Sequence, residues 1–147
     1  GVSEATPRRY RDPDELPEAW VTALAATNPD RLWVGTCQNG VSLIDGHRSR
    51  FVNETSGLPD DRITAVSAGI EGAFVGTLWG LAHVSNQGHV STYDLGGISP
   101  DPRSSALFRE GSVLWYGTEA GLVALRIEES SRRIEVAKAM GSNENRD

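Results

Sequence analysis

Short runs of aromatic and β-branched residues recur along this chain, each closed by Gly-Thr and separated by polar, glycine-bearing turns. The clearest is Leu32-Trp33-Val34-Gly35-Thr36. It returns as Ala73-Phe74-Val75-Gly76-Thr77 and as Leu114-Trp115-Tyr116-Gly117-Thr118, at a constant spacing of 41 residues. Each run reads as a strand entering a tight turn. A period of about 40 residues with several strands in it is the signature of propeller blades.

Around that strand the pattern predicts four antiparallel strands per unit. They cover 19–26, 31–36, 40–45 and 49–54 in the first unit, and 62–68, 73–77, 80–85 and 89–94 in the second. In the third they cover 104–110, 112–118, 121–127 and 132–139. Thr27-Asn28-Pro29-Asp30, Asp45-Gly46 and Asn86-Gln87-Gly88 supply the turns, because Gly and Asn accept the positive φ that tight hairpins need. The first strands carry small residues (Thr22-Ala23, Thr64-Ala65, Ser105-Ala106), as expected where blades converge on a central channel. The second strands are the most hydrophobic and are expected to be equivalent and largely buried between blades. Tyr10 precedes Leu16-Pro17 much as Phe51 precedes Leu58-Pro59, so residues 7–12 read as the last strand of a preceding blade. The predicted fold is all-β: a β-propeller segment of about three four-stranded blades plus one extra N-terminal strand, in an incomplete ring. Residues 1–140 form the segment, with blades at 16–57, 58–98 and 99–140, and the polar tail 141–147 is expected to be disordered.

These residues resemble the two-component regulator propeller repeat, in which a Gly-Leu-Pro segment and an alternating strand lead to Leu-Trp-Ile-Gly-Thr, two variable residues and Gly-Leu. Here the elements are Gly57-Leu58-Pro59, Ile63 to Ser67, Phe74-Val75-Gly76-Thr77 and Gly80-Leu81, with Gly117-Thr118 and Gly121-Leu122 in the third unit. The resemblance covers about residues 7 to 127. It implies a propeller of about seven blades of the kind found in periplasmic sensor regions of bacterial histidine kinases, hence a periplasmic or extracellular location. Three blades do not close such a ring, which would need about twice this length. An open arc exposes blade faces and β-edges. The expected partner is therefore another chain, another copy, or a further part of the same polypeptide that completes the propeller, and the chain is not expected to fold as an isolated monomer.

Composition narrows the function classes. The net charge of −6 argues against a protein that tracks nucleic-acid phosphates. The basic clusters at Arg8, Arg9 and Arg11 and at Arg132 and Arg133 are short enough to be solvated strand faces. The single cysteine, Cys37, excludes a disulfide within the chain. No run approaches the roughly 20 apolar residues of a membrane span, and residues 1–10 lack the apolar core of a signal peptide.

Candidate chemistry is sparse. His47 and His89 follow turn glycines at equivalent repeat positions and His83 lies mid-strand; nothing has the spacing of a metal site. No nucleophile elbow, phosphate-cradling glycine loop or EF-type loop occurs, so no cofactor and no metal are implied. Asn53-Glu54-Thr55 is a formal glycosylation sequon of little weight in a bacterial-type repeat. Cys37 has no basic neighbour in sequence to activate it. Trp79 stands out: between Gly-Thr and Gly-Leu the units carry Cys37-Gln38-Asn39, Leu78-Trp79 and Glu119-Ala120, freed from blade packing by the brackets around them. The candidate binding residues are Trp79, Cys37, Gln38, Asn39 and Glu119, with Asp60, Asp61, Arg62 and Arg103 from the inter-blade loops. A ring that merely caps a neighbouring loop is the plainer reading of Trp79; a contact anchor is the sharper one. These residues point to a non-enzymatic module that recognises a ligand or protein through its loop face, as a sensor or assembly subunit. The alternative is part of a propeller enzyme of lyase or hydrolase type whose catalytic residues lie in other blades.

Overall fold

A computed structural model describes residues 9–10, 16–46, 48–95, 103–128 and 133–141, the last of these as backbone alone. Among the described residues twelve strands follow one another: β1 Val21–Asn28, β2 Arg31–Thr36, β3 Val41–Asp45, β4 Arg48–Val52, β5 Ile63–Ala68, β6 Gly72–Thr77, β7 Gly80–Ser85, β8 Val90–Tyr93, β9 Ser104–Glu110, β10 Val113–Thr118, β11 Gly121–Glu128 and β12 Arg133–Gly141. They form three antiparallel sheets in the orders β1-β2-β3-β4, β5-β6-β7-β8 and β9-β10-β11-β12, none closed into a ring. The 41-residue period is thus one sheet per repeat. The strand called for residues 7–12 and the tail beyond Gly141 lie outside the described residues, apart from Arg9 and Tyr10.

The sheets stack face to face because successive strand residues point to opposite sides. From the first sheet, Trp33, Val41 and Leu43 pack against Ala73, Val75, Ala82 and Val84 of the second. The alternate residues of the second sheet, Phe74 and Leu81, pack against Leu114, Tyr116, Val123 and Leu125 of the third. A middle sheet buried on both sides needs apolar residues at every position of its second strand, and all six residues of β6 are buried. β10 departs from the expected burial: only Leu114 and Tyr116 are fully enclosed. By alternation Trp115, Leu122 and Phe108 lie on the side away from the second sheet, and Phe108 is 63% exposed. At the other end Leu16, Val34 and Ile44 form a small cluster that Tyr10 and Leu32 join.

The first strands gather where the sheets meet. Thr22 Oγ1 donates to the Ile63 carbonyl at 2.7 Å, across one sheet boundary. The repeated glycine explains how the sheets come so close. A Cβ on Gly35 would stand 2.5 Å from Ile63 Cγ2, and one on Gly76 would stand 2.2 Å from Ser104 Oγ. Any side chain there would drive the next blade away.

Several strand ends move by one or two residues from expectation, and two of these shifts have a visible cause. β1 begins at Val21 and runs through Asn28, confining the turn to Pro29 and Asp30, whose amide donates to Asn28 Oδ1 at 2.9 Å. β4 stops at Val52, because the next residues form a single 3-10 turn, Glu54–Ser56, capped by Asn53. The Asn53 side chain accepts from the Thr55 amide while the Asn53 amide donates to Ser56 Oγ, a reciprocal cap that outcompetes strand extension.

Candidate functional site

The connections between second and third strands and those between sheets come out at the same rim. Antiparallel pairing requires it: the C-terminal ends of β2 and β4 and the N-terminal ends of β3 and β5 lie together. Backbone hydrogen bonds then tie the loops to one another. Cys37 N donates to Trp20 O at 3.0 Å, Leu78 N to Arg62 O at 3.2 Å, and Gly40 N to Asp61 O at 2.8 Å. Each short loop is also closed by the threonine that precedes it. Thr36 Oγ1 donates to Gly40 O at 2.7 Å and Thr77 Oγ1 to Gly80 O at 2.9 Å. The same oxygens accept from Asn39 N at 3.2 Å and Trp79 N at 3.1 Å, and Thr118 Oγ1 accepts from Ala120 N at 3.0 Å. The repeated Gly-Thr therefore has two jobs: the glycine admits the next blade and the threonine clamps the rim loop.

On this frame the candidate residues divide by exposure. Trp79 is 60% exposed, so its ring is not part of the blade core. Gln38 and Asn39 are exposed and Cys37 is half-buried, with the Gln38 amide donating to Glu18 Oε2. Glu119 is exposed and accepts from Arg103 Nη2 at 3.1 Å. The carboxylates of the connection from β4 to β5 are used internally. Asp60 is buried; its oxygens accept from Arg62 Nε at 2.8 Å, Arg62 Nη2 at 2.7 Å and the Arg62 amide at 2.8 Å. Asp61 Oδ1 accepts from Glu54 N at 2.7 Å while Glu54 Oε2 accepts from Asp61 N at 3.0 Å.

The side-chain bond from Arg62 holds the Asp60 carboxyl below its usual range, outweighing the opposing effect of burial. Arg62 is pushed up in turn, first by its bond to Asp60, with the charges of Glu54 and Cys37 among the smaller causes. The fold thus brings Cys37 within electrostatic reach of a guanidinium 25 positions along the chain, which its sequence neighbours did not offer.

Trp20 is the rim residue that sequence reasoning passed over. Its carbonyl occupies the place that Arg62's takes in the next unit, and its ring is 66% exposed. The signal was there: Trp20, Arg62 and Arg103 each stand just before a first strand, within a residue of the repeat spacing. Of the histidines, His89 is exposed and His83 buried, while His47 lies outside the described residues. Among the described residues no group of three or more His, Cys, Asp or Glu side chains could hold a metal ion, and no helix is long and apolar enough to cross a membrane.

Four-stranded antiparallel sheets stacked face to face, with their first strands gathered together, define the class: these are blades of a β-propeller. Solved structures share the arrangement. The extracellular domain of BT3049 from B. thetaiotaomicron, described as a hybrid two component system, matches with a TM-score of 0.68 at 17% identity over 87% of this chain and 19% of its own. The extracellular domain of BT4673 from the same organism, described as a one component system, matches with a TM-score of 0.67 at 23% identity over 90% of this chain and 18% of its own. PorZ, a surface component of the type-IX secretion system of Porphyromonas gingivalis, matches with a TM-score of 0.63 at 14% identity over 83% of this chain and 17% of its own. The chain therefore spans less than a fifth of the length of each of these structures. No protein-family model matches the chain, and no curated protein matches it in sequence.

Proposed function

We propose that this chain belongs to a non-enzymatic recognition propeller that works outside the cytoplasm, periplasmic or extracellular, as part of a sensor or surface assembly. The ring is completed by another chain, a second copy or a further part of the same polypeptide. Contact is made at the rim that carries the paired loops, with Trp79 and Trp20 as anchors. Arg103, Glu119, Gln38, Asn39 and Cys37 surround them, and Asp60, Asp61 and Arg62 hold the loop beneath. The observation that carries this reading is the pair of exposed indoles on clamped loops. An aromatic ring fixed in water by a rigid backbone loses little entropy on binding, which is why such rings dominate interface energetics. The extracellular setting of the structural neighbours supports the location.

The test is a binding screen on the intact protein with the Trp20→Ala/Trp79→Ala variant as control. Because both rings are exposed, the variant should melt with the parent, while a binder seated on this rim should lose about 2 kcal/mol or more. Binders that ignore the double substitution place recognition elsewhere and sink the proposal.

A further inference from the structure

Three backbone hydrogen bonds make a continuous path along the rim from one exposed indole to the other. Trp20 O accepts from Cys37 N, Gly40 N donates to Asp61 O, and Arg62 O accepts from Leu78 N, next to Trp79. Trp20 leads into the first sheet and Trp79 lies in a loop of the second, so the path crosses the boundary between them. We propose that this stretch of rim docks a basic segment of a partner protein, an extended run carrying arginine or lysine side chains, with the two indoles as its cation–π contacts. The inference rests on the rim reading above and adds the chemistry of the partner.

Charge decides that chemistry. Around the path, Asp60 is matched by Arg62 at 2.7 Å and Glu119 by Arg103 at 3.1 Å. Glu18, Glu54 and Asp61 are not matched. Glu18 Oε2 accepts from Gln38 N, Asp61 Oδ1 from Glu54 N and Glu54 Oε2 from Asp61 N, all of them main-chain donors. None of the three is in ion-pair contact with another described residue. All three sit between the indoles: Glu18 and Asp61 hold the two ends of the loop after β2, and Glu54 holds the Asp61 amide. Glu54 is exposed and the other two are partly exposed, within reach of a docked chain.

Each class of partner meets this surface differently. An anionic one is repelled by the unmatched carboxylates. A purely apolar one covers the indoles but strips water from three carboxylates without supplying a counter-charge, which is costly. A cationic one is drawn by both features, since the face of an indole attracts a cation more strongly than any other aromatic side chain does. The clamped loops hold rings and carboxylates in place beforehand, so little order is lost on docking. Spacing favours a chain over a small cation. Face-packed sheets stand about 10 Å apart, so one small cation meets one indole at a time. A polyproline II chain turns every third side chain to the same side at intervals of about 9 Å and spans both.

A peptide of repeated Arg-Pro-Pro and its citrulline counterpart, in which an uncharged urea of nearly the same shape replaces each guanidinium, test this on the intact protein by calorimetric titration. The arginine peptide should bind at least about tenfold more tightly than the citrulline peptide, a preference that shrinks as salt is raised. The Glu18→Gln/Glu54→Gln/Asp61→Asn variant keeps an oxygen to accept each amide; it should melt with the parent and lose most of the arginine preference. Trp20→Ala/Trp79→Ala should weaken the arginine peptide by about tenfold or more. Equal binding of the two peptides, no binding of the arginine peptide, a folded triple variant that keeps the full preference, or arginine-peptide binding that ignores the loss of both indoles overturns the proposal. If the triple variant does not fold, the peptide comparison and the indole variant decide it. A binder without cations that still depends on Trp20 and Trp79 leaves the rim reading standing while this inference falls.

Discussion

Gly35, Gly76 and Gly117 occupy one repeat position and meet three different environments, so identical substitutions there read out blade contacts. Ser104 Oγ would lie 2.2 Å from a Cβ at Gly76, whereas nothing comes nearer than 3.7 Å to one at Gly117. Gly76→Ala should cost about 1–3 kcal/mol in a urea melt, the usual penalty of overpacking. Gly117→Ala should be nearly neutral in this chain by itself. In the completed propeller it should cost as much as Gly76→Ala, because the next blade's first strand would then press on it. A neutral Gly117→Ala in the complete protein would mean that no blade docks on β10. Trp79 makes the opposite case at the same scale. Its exposure predicts that Trp79→Ala leaves the melting temperature within about a degree of the parent, against roughly 3–5 kcal/mol for truncating a buried ring.

The connection from β4 to β5 is a small structure in its own right. A capped 3-10 turn, the Glu54–Asp61 exchange and the Asp60–Arg62 pair set the point where the second sheet begins. Asp60 makes part of that fixing pH-dependent. Its folded pKa is depressed, so above the ordinary value of about 3.9 the carboxylate is ionised in both states and its contribution is complete. As pH falls through that value the unfolded chain takes up the proton first, and stability declines until the folded form protonates as well. Asp60→Asn should therefore flatten the fall in stability below about pH 4 and leave the slope between pH 5 and 8 unchanged. Urea melts at stepped pH check this; an unchanged acid slope in Asp60→Asn would show that other carboxylates govern it.

For the whole molecule the question is what covers the two outer sheets. Leu24 is 62% exposed on the side of the first sheet that carries Val34, and Phe108 is 63% exposed on the far side of the third. Such apolar faces favour association. The 147-residue chain should sediment as an associating species rather than a compact monomer. Leu24→Lys together with Phe108→Lys should shift it toward monomer. A compact, cooperatively melting monomer of the unaltered chain would contradict the incomplete-ring reading.

The blade repeat was legible in the sequence because each blade solves the same packing problem. A second strand covered on both sides must be apolar throughout, and a rim loop of two or three residues must be clamped the same way each time, so Trp33-Val34-Gly35-Thr36 recurs at a fixed spacing. The candidate rim was legible for a related reason: strand parity alone puts Trp79 beside the inter-sheet loops. Other features depended on neighbours distant in sequence. Nothing local distinguishes Asp60, locked under Arg62, from Asp61. β10 has the same apolar run as β6, yet it is only half enclosed, because burial belongs to the sheet that arrives from outside rather than to the strand itself. His83 and Arg109 lie 26 positions apart and belong to different repeats. Only the stacking of the second sheet on the third brings them to the same Phe74 ring, since register within a repeat fixes which face a residue takes but not what stands opposite it.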